Sequence, residues 1–181
     1  MLKSKKSPLS LQLAFLVAGA KLGDQKAANA LVNHCHKKFI AHGWRLTGDK
    51  DAAEDVVQQS WVEILRSLQR LNDDHLFLPW GYRIVTRMAA RWIKRQQKRR
   101  LIASTLTDEQ LGAEPPREDE RLTLEQAITL LPAQHQAALA LFYKEGMPTA
   151  EISVALDVPL GTVKSRLSHA RSNLRTILER E

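Results

Sequence analysis

The stretch PTAEISVALDVPLGTVKSRLSHARSN, residues 148–173, decides how this chain is read. Pro148 suits the first position of a short helix, where its missing N–H is harmless. Ile152, Ala155 and Leu156 give that helix one apolar face. Asp157-Val158-Pro159-Leu160 is a short turn, because Pro159 cannot continue a helix. Gly161-Thr162 opens a second helix, whose Val163, Leu167, Ala170 and Leu174 fall four, three and four residues apart on one stripe. Its opposite face presents Thr162, Ser165, Ser168, His169 and Ser172, flanked by Lys164, Arg166 and Arg171. No acid occurs between Asp157 and Glu179. Short hydroxyl side chains allow close approach to bases, Lys and Arg reach guanine acceptors or phosphates, and a helix N-terminus favours phosphate. The stretch therefore predicts a DNA-reading helix-turn-helix. The plainer alternative, a helical hairpin with a solvated basic face, accounts for the charge but not for stripe, turn and acid-free face together.

Outward from this motif the periodicity stays helical. Residues 120–131 and 132–144 complete a C-terminal block with 148–156 and 161–178. Residues 105–120 differ abruptly in composition. They carry Asp108, Glu109, Glu114, Glu118, Asp119 and Glu120 against Arg117, with Gly112, Pro115 and Pro116, and read as a flexible acidic linker. Four further helical patterns fill the first hundred residues, at 10–20, 24–46, 49–71 and 79–101. Gly23, the Leu46-Thr47-Gly48 corner and Asn72-Asp73-Asp74 separate them, and Asp49 or Asp51 caps the third. No stretch reads as a strand. The expectation is an all-α chain of two small helical domains, 1–104 and 120–181, joined by a linker at 105–119.

The fourth helix is strongly basic. Arg83, Arg87, Arg91 and Arg95 recur every four residues on one face, joined by Lys94, Lys98, Arg99 and Arg100, with no acid from Asp74 to Asp108. Ile84 or Val85, Met88 and Trp92 line another face, and Trp80, Tyr82 and Trp92 are read as aromatic surface. Basic charge interleaved with aromatics suits single-stranded or melted DNA. Trp92, taken alone, reads as core. The third helix is its electrostatic opposite, with Asp49, Asp51, Glu54, Asp55 and Glu63 beside Gln58 and Gln59. Its Val57, Trp61, Ile64, Leu65 and Leu68 are expected to face inward. The acidic face reads either as a protein-docking surface or as solvated surface.

Bulk properties agree without deciding. Lys and Arg number 27 against 20 Asp and Glu, a net charge of +7 that favours a polyanionic partner. Cys35 is the single cysteine, so no internal disulfide forms and a reduced, cytoplasmic setting fits. The basic start followed by an apolar run at 9–20 resembles a signal peptide, but Lys21 and Asp24 follow at once and Leu13, Leu16 and Val17 share a helix face. His34, Cys35 and His36 are adjacent, which is poor spacing for metal ligands on one face. No phosphate-cradling Gly-rich loop or nucleophile–base pattern occurs. Neither an enzyme, a metal, a cofactor nor a small-molecule substrate is expected. A duplex-DNA regulator needs no acidic third helix, and an adaptor needs no acid-free reading helix.

Four stretches resemble the extracytoplasmic-function class of bacterial sigma factors. They are Leu22-Gly23-Asp24-Gln25-Lys26-Ala27-Ala28; Gly48-Asp49 with 51–59; Trp80-Gly81-Tyr82-Arg83-Ile84; and Leu131-Pro132, Gly146 and 161–167 with Ala170-Arg171. The resemblance implies that Asp51, Glu54, Asp55, Gln58, Gln59 and Glu63 bind the clamp of the largest subunit of core RNA polymerase. It implies that Trp80, Arg83, Arg87, Arg91, Lys94 and Arg95 meet the −10 element of promoter DNA. It further implies that Thr162, Lys164, Ser165, Arg166, Ser168, His169 and Arg171 read the −35 element, that the second domain touches the flap of the other large subunit, and that an anti-sigma protein holds the chain inactive. Arg87 departs from the Asn that many members carry, and Pro148 from a common N-cap Ser.

Overall fold

The computed structural model of the chain describes residues 8–104 and 123–179; the expected linker lies outside the described residues. Among the described residues there is no strand. Helices α1 (Pro8–Lys21), α2 (Gln25–Thr47), α3 (Lys50–Ser67) and α4 (Phe77–Ser104) form the first block, and α5 (Leu124–Thr129), α6 (Ala133–Leu139), α7 (Thr149–Leu156) and α8 (Leu160–Leu178) the second.

Local chemistry sets the helix ends. Asp24 caps α2 by accepting the Lys26 N–H at 2.8 Å, and Asp49 caps α3 by accepting from Ala52 N at 3.0 Å. Between them Gly48 takes φ 72, a left-handed conformation that glycine adopts without cost, and its N–H donates to Trp44 O. A capping box between Thr123 and Gln126 starts α5. Pro148 and Pro159 are the N-caps of α7 and α8, without a side-chain cap bond, so Pro148 precedes its helix instead of opening the first turn. α3 ends before the 3₁₀ turn Leu68–Arg70, and a second such turn, Asp74–Leu76, leads into α4. α6 widens into a π-type turn, Ala140–Lys144.

The first block packs around Phe39, fully buried between Trp61 at 5.3 Å and Tyr82 edge-on at 5.1 Å between ring centroids. Gly81 is the reason α4 comes so close. A Cβ built there would lie 2.6 Å from Phe39 Cζ, and the flanking rings leave Phe39 little room to retreat. Lys21 pins the end of α1, donating to Leu71 O at 2.6 Å and pairing with Asp74. The second block buries Ala137, Ala138, Leu141, Met147, Ile152, Ala155, Val163, Leu167 and Ala170.

The two cores are continuous, because α7 packs against α4 and α6 against α2. Polar contacts also cross between the blocks. Lys38 Nζ meets Glu145 Oε2 at 2.7 Å, Arg83 Nη2 meets Asp157 Oδ1 at 2.7 Å, and the Thr86 hydroxyl donates to Ala155 O at 2.8 Å. Tyr82 O, at 2.9 Å, is a second acceptor for that one proton, so toward His42 Nε2, at 2.9 Å, the Thr86 oxygen accepts. Nε2 of His42 therefore carries a proton, and Nδ1, buried without a partner among the described residues, has no acceptor for a second one. Burial, then the nearby Arg45, lowers its pKa to about 3.

Candidate nucleic-acid interface

α8 carries the first candidate face. Val163, Leu167 and Ala170 are buried beneath it, and Lys164, Ser165, Ser168, His169, Arg171 and Ser172 are exposed above. Thr162 and Arg166 are half-buried at its edge. Burial lowers the pKa of Arg166, and this side chain lies close enough to His135 to depress that group as well, after burial and His169. Ser165 Oγ donates to Thr162 O at 3.0 Å, which commits its proton and leaves its oxygen able to accept. The first-turn amides of α8 have no side-chain cap, so they remain donors for an anion.

α4 carries the second face. Tyr82, Val85 and Ala89 are buried, whereas Arg87, Arg91, Lys94 and Arg95 are exposed. Trp80 is half-buried, its ring 6.1 Å from Phe77, and Trp92 is half-buried against the core. Tyr82 corrects the sequence reading. It is 1% exposed and belongs to the core, with burial, then Glu145, holding its hydroxyl firmly protonated. Arg83 is not free either. It pairs with Asp157, and Arg87 Nε stands 3.8 Å from the other oxygen of that carboxylate.

α3 presents the acidic face. Asp51, Glu54, Asp55, Gln58 and Gln59 are exposed, and Glu63 is half-buried. Leu65, expected inside, is 45% exposed, and Val62 is 63% exposed. With Asp51, Asp55 and Gln58 they continue one stripe at helical spacing, because Trp61, Ile64 and Leu68 already fill the inner face. The sequence reading missed Val62, although its spacing from Asp55 and Gln58 was a sufficient signal. Asp55 and Gln59 share a groove with Trp92, Arg95, Gln96 and Arg99, where the acidic and basic helices meet.

Other reactive groups are committed to structure. Cys35 is buried, which pushes its thiol up to about 12, so it is a poor nucleophile. His36 Nδ1 accepts from Trp61 Nε1 at 3.2 Å. Among the described residues no group of three or more His, Cys, Asp or Glu is placed to hold a metal ion.

Two family models match, sigma-70 region 2 at residues 31–99 and sigma-70 region 4 at residues 121–174. The chain is 32% identical over 166 residues to the ECF RNA polymerase sigma factor SigE of Mycolicibacterium smegmatis, covering 86% of this chain and 64% of that one. It is 28% identical over 179 residues to the ECF RNA polymerase sigma-E factor of Haemophilus influenzae, covering 91% and 94%. It spans 42% of another relative, the probable RNA polymerase sigma factor RfaY of Xanthomonas campestris pv. campestris. Among solved structures, CnrH in complex with the cytosolic domain of CnrY has a TM-score of 0.67 at 19% identity, covering 94% of this chain and 99% of that one. The sigma factor RpoE in complex with the anti-sigma factor NepR, from Bartonella quintana, has a TM-score of 0.63 at 21% identity, covering 83% and 96%. These two likenesses concern the fold. The chain belongs to the sigma-70 family of transcription initiation factors, in its extracytoplasmic-function class.

Proposed function

We propose that this chain binds core RNA polymerase and directs promoter-specific initiation without itself being an enzyme. Residues 1–104 act as the polymerase-binding and −10 unit, 105–119 as linker and 120–181 as the −35 unit, which also meets the flap. Asp51, Glu54, Asp55, Gln58, Gln59 and Glu63 of α3 dock on the clamp. Trp80, Arg83, Arg87, Arg91, Lys94 and Arg95 of α4 meet the −10 element. Thr162, Lys164, Ser165, Arg166, Ser168, His169 and Arg171 of α8 meet the −35 element. One observation carries the reading: an exposed, acid-free face on α8 stands over a buried stripe, in a chain that separately exposes an acidic face on α3. Two opposed faces on separate helices suit a chain that joins DNA to a protein.

Two further parts belong to the same proposal. No helix of the described residues is long and apolar enough to cross a membrane, which accords with a cytoplasmic place of action. An anti-sigma protein is a partner, by analogy with RpoE and its anti-sigma factor NepR.

The test is co-purification with core polymerase, followed by promoter-library transcription with the reconstituted holoenzyme. Lys164→Ala or Ser165→Ala relaxes choice at single −35 positions, by roughly 1–3 kcal/mol wherever the side chain had bonded well to a base edge. Arg91→Ala weakens all sequences alike and reduces the salt slope by about one. If the two α8 variants only lower activity uniformly, α8 positions the DNA and does not read it.

A further inference from the structure

The helices assigned above to different promoter elements touch one another. α7 lies against α4, and the residue that ends α7 meets the start of the arginine stripe. Asp157 Oδ1 is 2.7 Å from Arg83 Nη2, and its Oδ2 is 3.8 Å from Arg87 Nε. Beside them on α4, the Thr86 hydroxyl donates to Ala155 O. The backbone sets the carboxylate in place. Asp157 is the left-handed C-cap of α7 at φ 54, a conformation that Asp tolerates better than most residues, and its N–H donates back to Ser153 O and Val154 O. Among the described non-glycine residues it is the one with positive φ.

The other faces are open in this arrangement. Lys164, Ser165, Ser168 and His169 on α8 are exposed, as are Asp51, Glu54, Asp55 and Gln58 on α3. Arg83 and Arg87 are different, since the chain itself supplies an anion to both. A carboxylate and a phosphate both present oxygens that suit a guanidinium group, so one can replace the other. Side-chain exposures of 43% for Arg83 and 40% for Asp157 make the pair weak enough to exchange.

We propose that Asp157 is an intramolecular counter-ion that latches α7 onto α4 in the free chain, and that nucleic-acid phosphate displaces it from Arg83 and Arg87. The latch stands on the contact itself; its displacement by phosphate rests on the reading of α4 as a DNA-binding helix. The helix-turn-helix block then holds the −10 stripe closed at one end, while α3 and α8 stay available for first contact.

The test uses the full chain with a donor and an acceptor dye on Asn29→Cys of α2 and Asn173→Cys of α8, both exposed positions. Cys35 is buried and does not compete for label. Asp157→Asn is expected to lower energy transfer, and the exchanged pair Arg83→Asp with Asp157→Arg to restore it. Raising the salt concentration lowers transfer in the parent toward the Asp157→Asn value. A short single-stranded deoxyoligonucleotide does the same, and Asp157→Asn binds it about fivefold more tightly, the scale of a half-exposed ion pair. Glu179→Gln, which removes a carboxylate 2.7 Å from Arg175 on α8, controls for net charge and leaves transfer at the parent value. Transfer that is unchanged in Asp157→Asn and insensitive to salt overturns the latch. Transfer that falls in Asp157→Asn, with no oligonucleotide bound by either chain, keeps the latch and overturns both the displacement by phosphate and the α4 reading.

Discussion

The polymerase-docking reading makes its sharpest prediction at two residues that carry no charge. Val62 and Leu65 are 63% and 45% exposed on the stripe that holds Asp55 and Gln58. Truncation of Val to Ala removes two carbons and of Leu to Ala three, each worth about 0.8 kcal/mol when fully buried. Scaled by the exposed fraction, which is all that a partner can newly cover, each change costs about 1 kcal/mol of binding. Together Val62→Ala and Leu65→Ala should weaken the complex with core polymerase by about 2 kcal/mol, or roughly 30-fold. Folding stability should fall by no more than about 2 kcal/mol, from the fraction of each side chain that is already buried, offset in part by the better helix propensity of alanine. The assay is competition between labelled parent and unlabelled variant for core polymerase, beside urea unfolding of the free chain. Equal competition by the double variant would refute the placement of this stripe against the polymerase. A large drop in stability would instead show that Leu65 serves the core, as its sequence position first suggested.

Two other predictions concern the fold that presents these faces. Gly81→Ala gains up to about 1 kcal/mol of helix propensity but forces a Cβ to 2.6 Å from Phe39 Cζ, an overpacking of about 1–3 kcal/mol; calorimetry should find a lower melting temperature, partly recovered by adding Phe39→Leu, and an unchanged one would mean that α2 and α4 separate freely. His42 has its pKa lowered to about 3 in the fold, against about 6.5 unfolded, so the folded chain binds fewer protons. Its stability contribution is full above about pH 6.5 and is lost as pH falls toward 3, by about 1.4 kcal/mol per pH unit. His42→Gln should therefore lose about 2 kcal/mol less than the parent between pH 6.5 and 5, measured by urea unfolding, and parallel pH curves would contradict the buried neutral imidazole.

Residue spacing alone determined the all-α class, a cap at Asp49 or Asp51, the break at Gly48, and the stripe of Val163, Leu167 and Ala170 with its acid-free opposite face. These are properties of one turn or one helix, so neighbours within a few residues suffice to specify them. The side of α8 that faces outward was legible for the same reason, because its apolar and polar residues segregate cleanly. Tertiary structure decided the rest. Tyr82 stands among arginines in sequence yet is buried, because Gly81 lets α4 close onto Phe39. Leu65 is apolar yet exposed, because Trp61, Ile64 and Leu68 fill the inner side of α3 first. Arg83 looked like a free cation, and its counter-ion is Asp157 at the end of α7 in the other block. Periodicity reports which residues share a face, but the covering of that face and the pairing of its charges depend on elements far apart in the chain, whose approach leaves no local pattern.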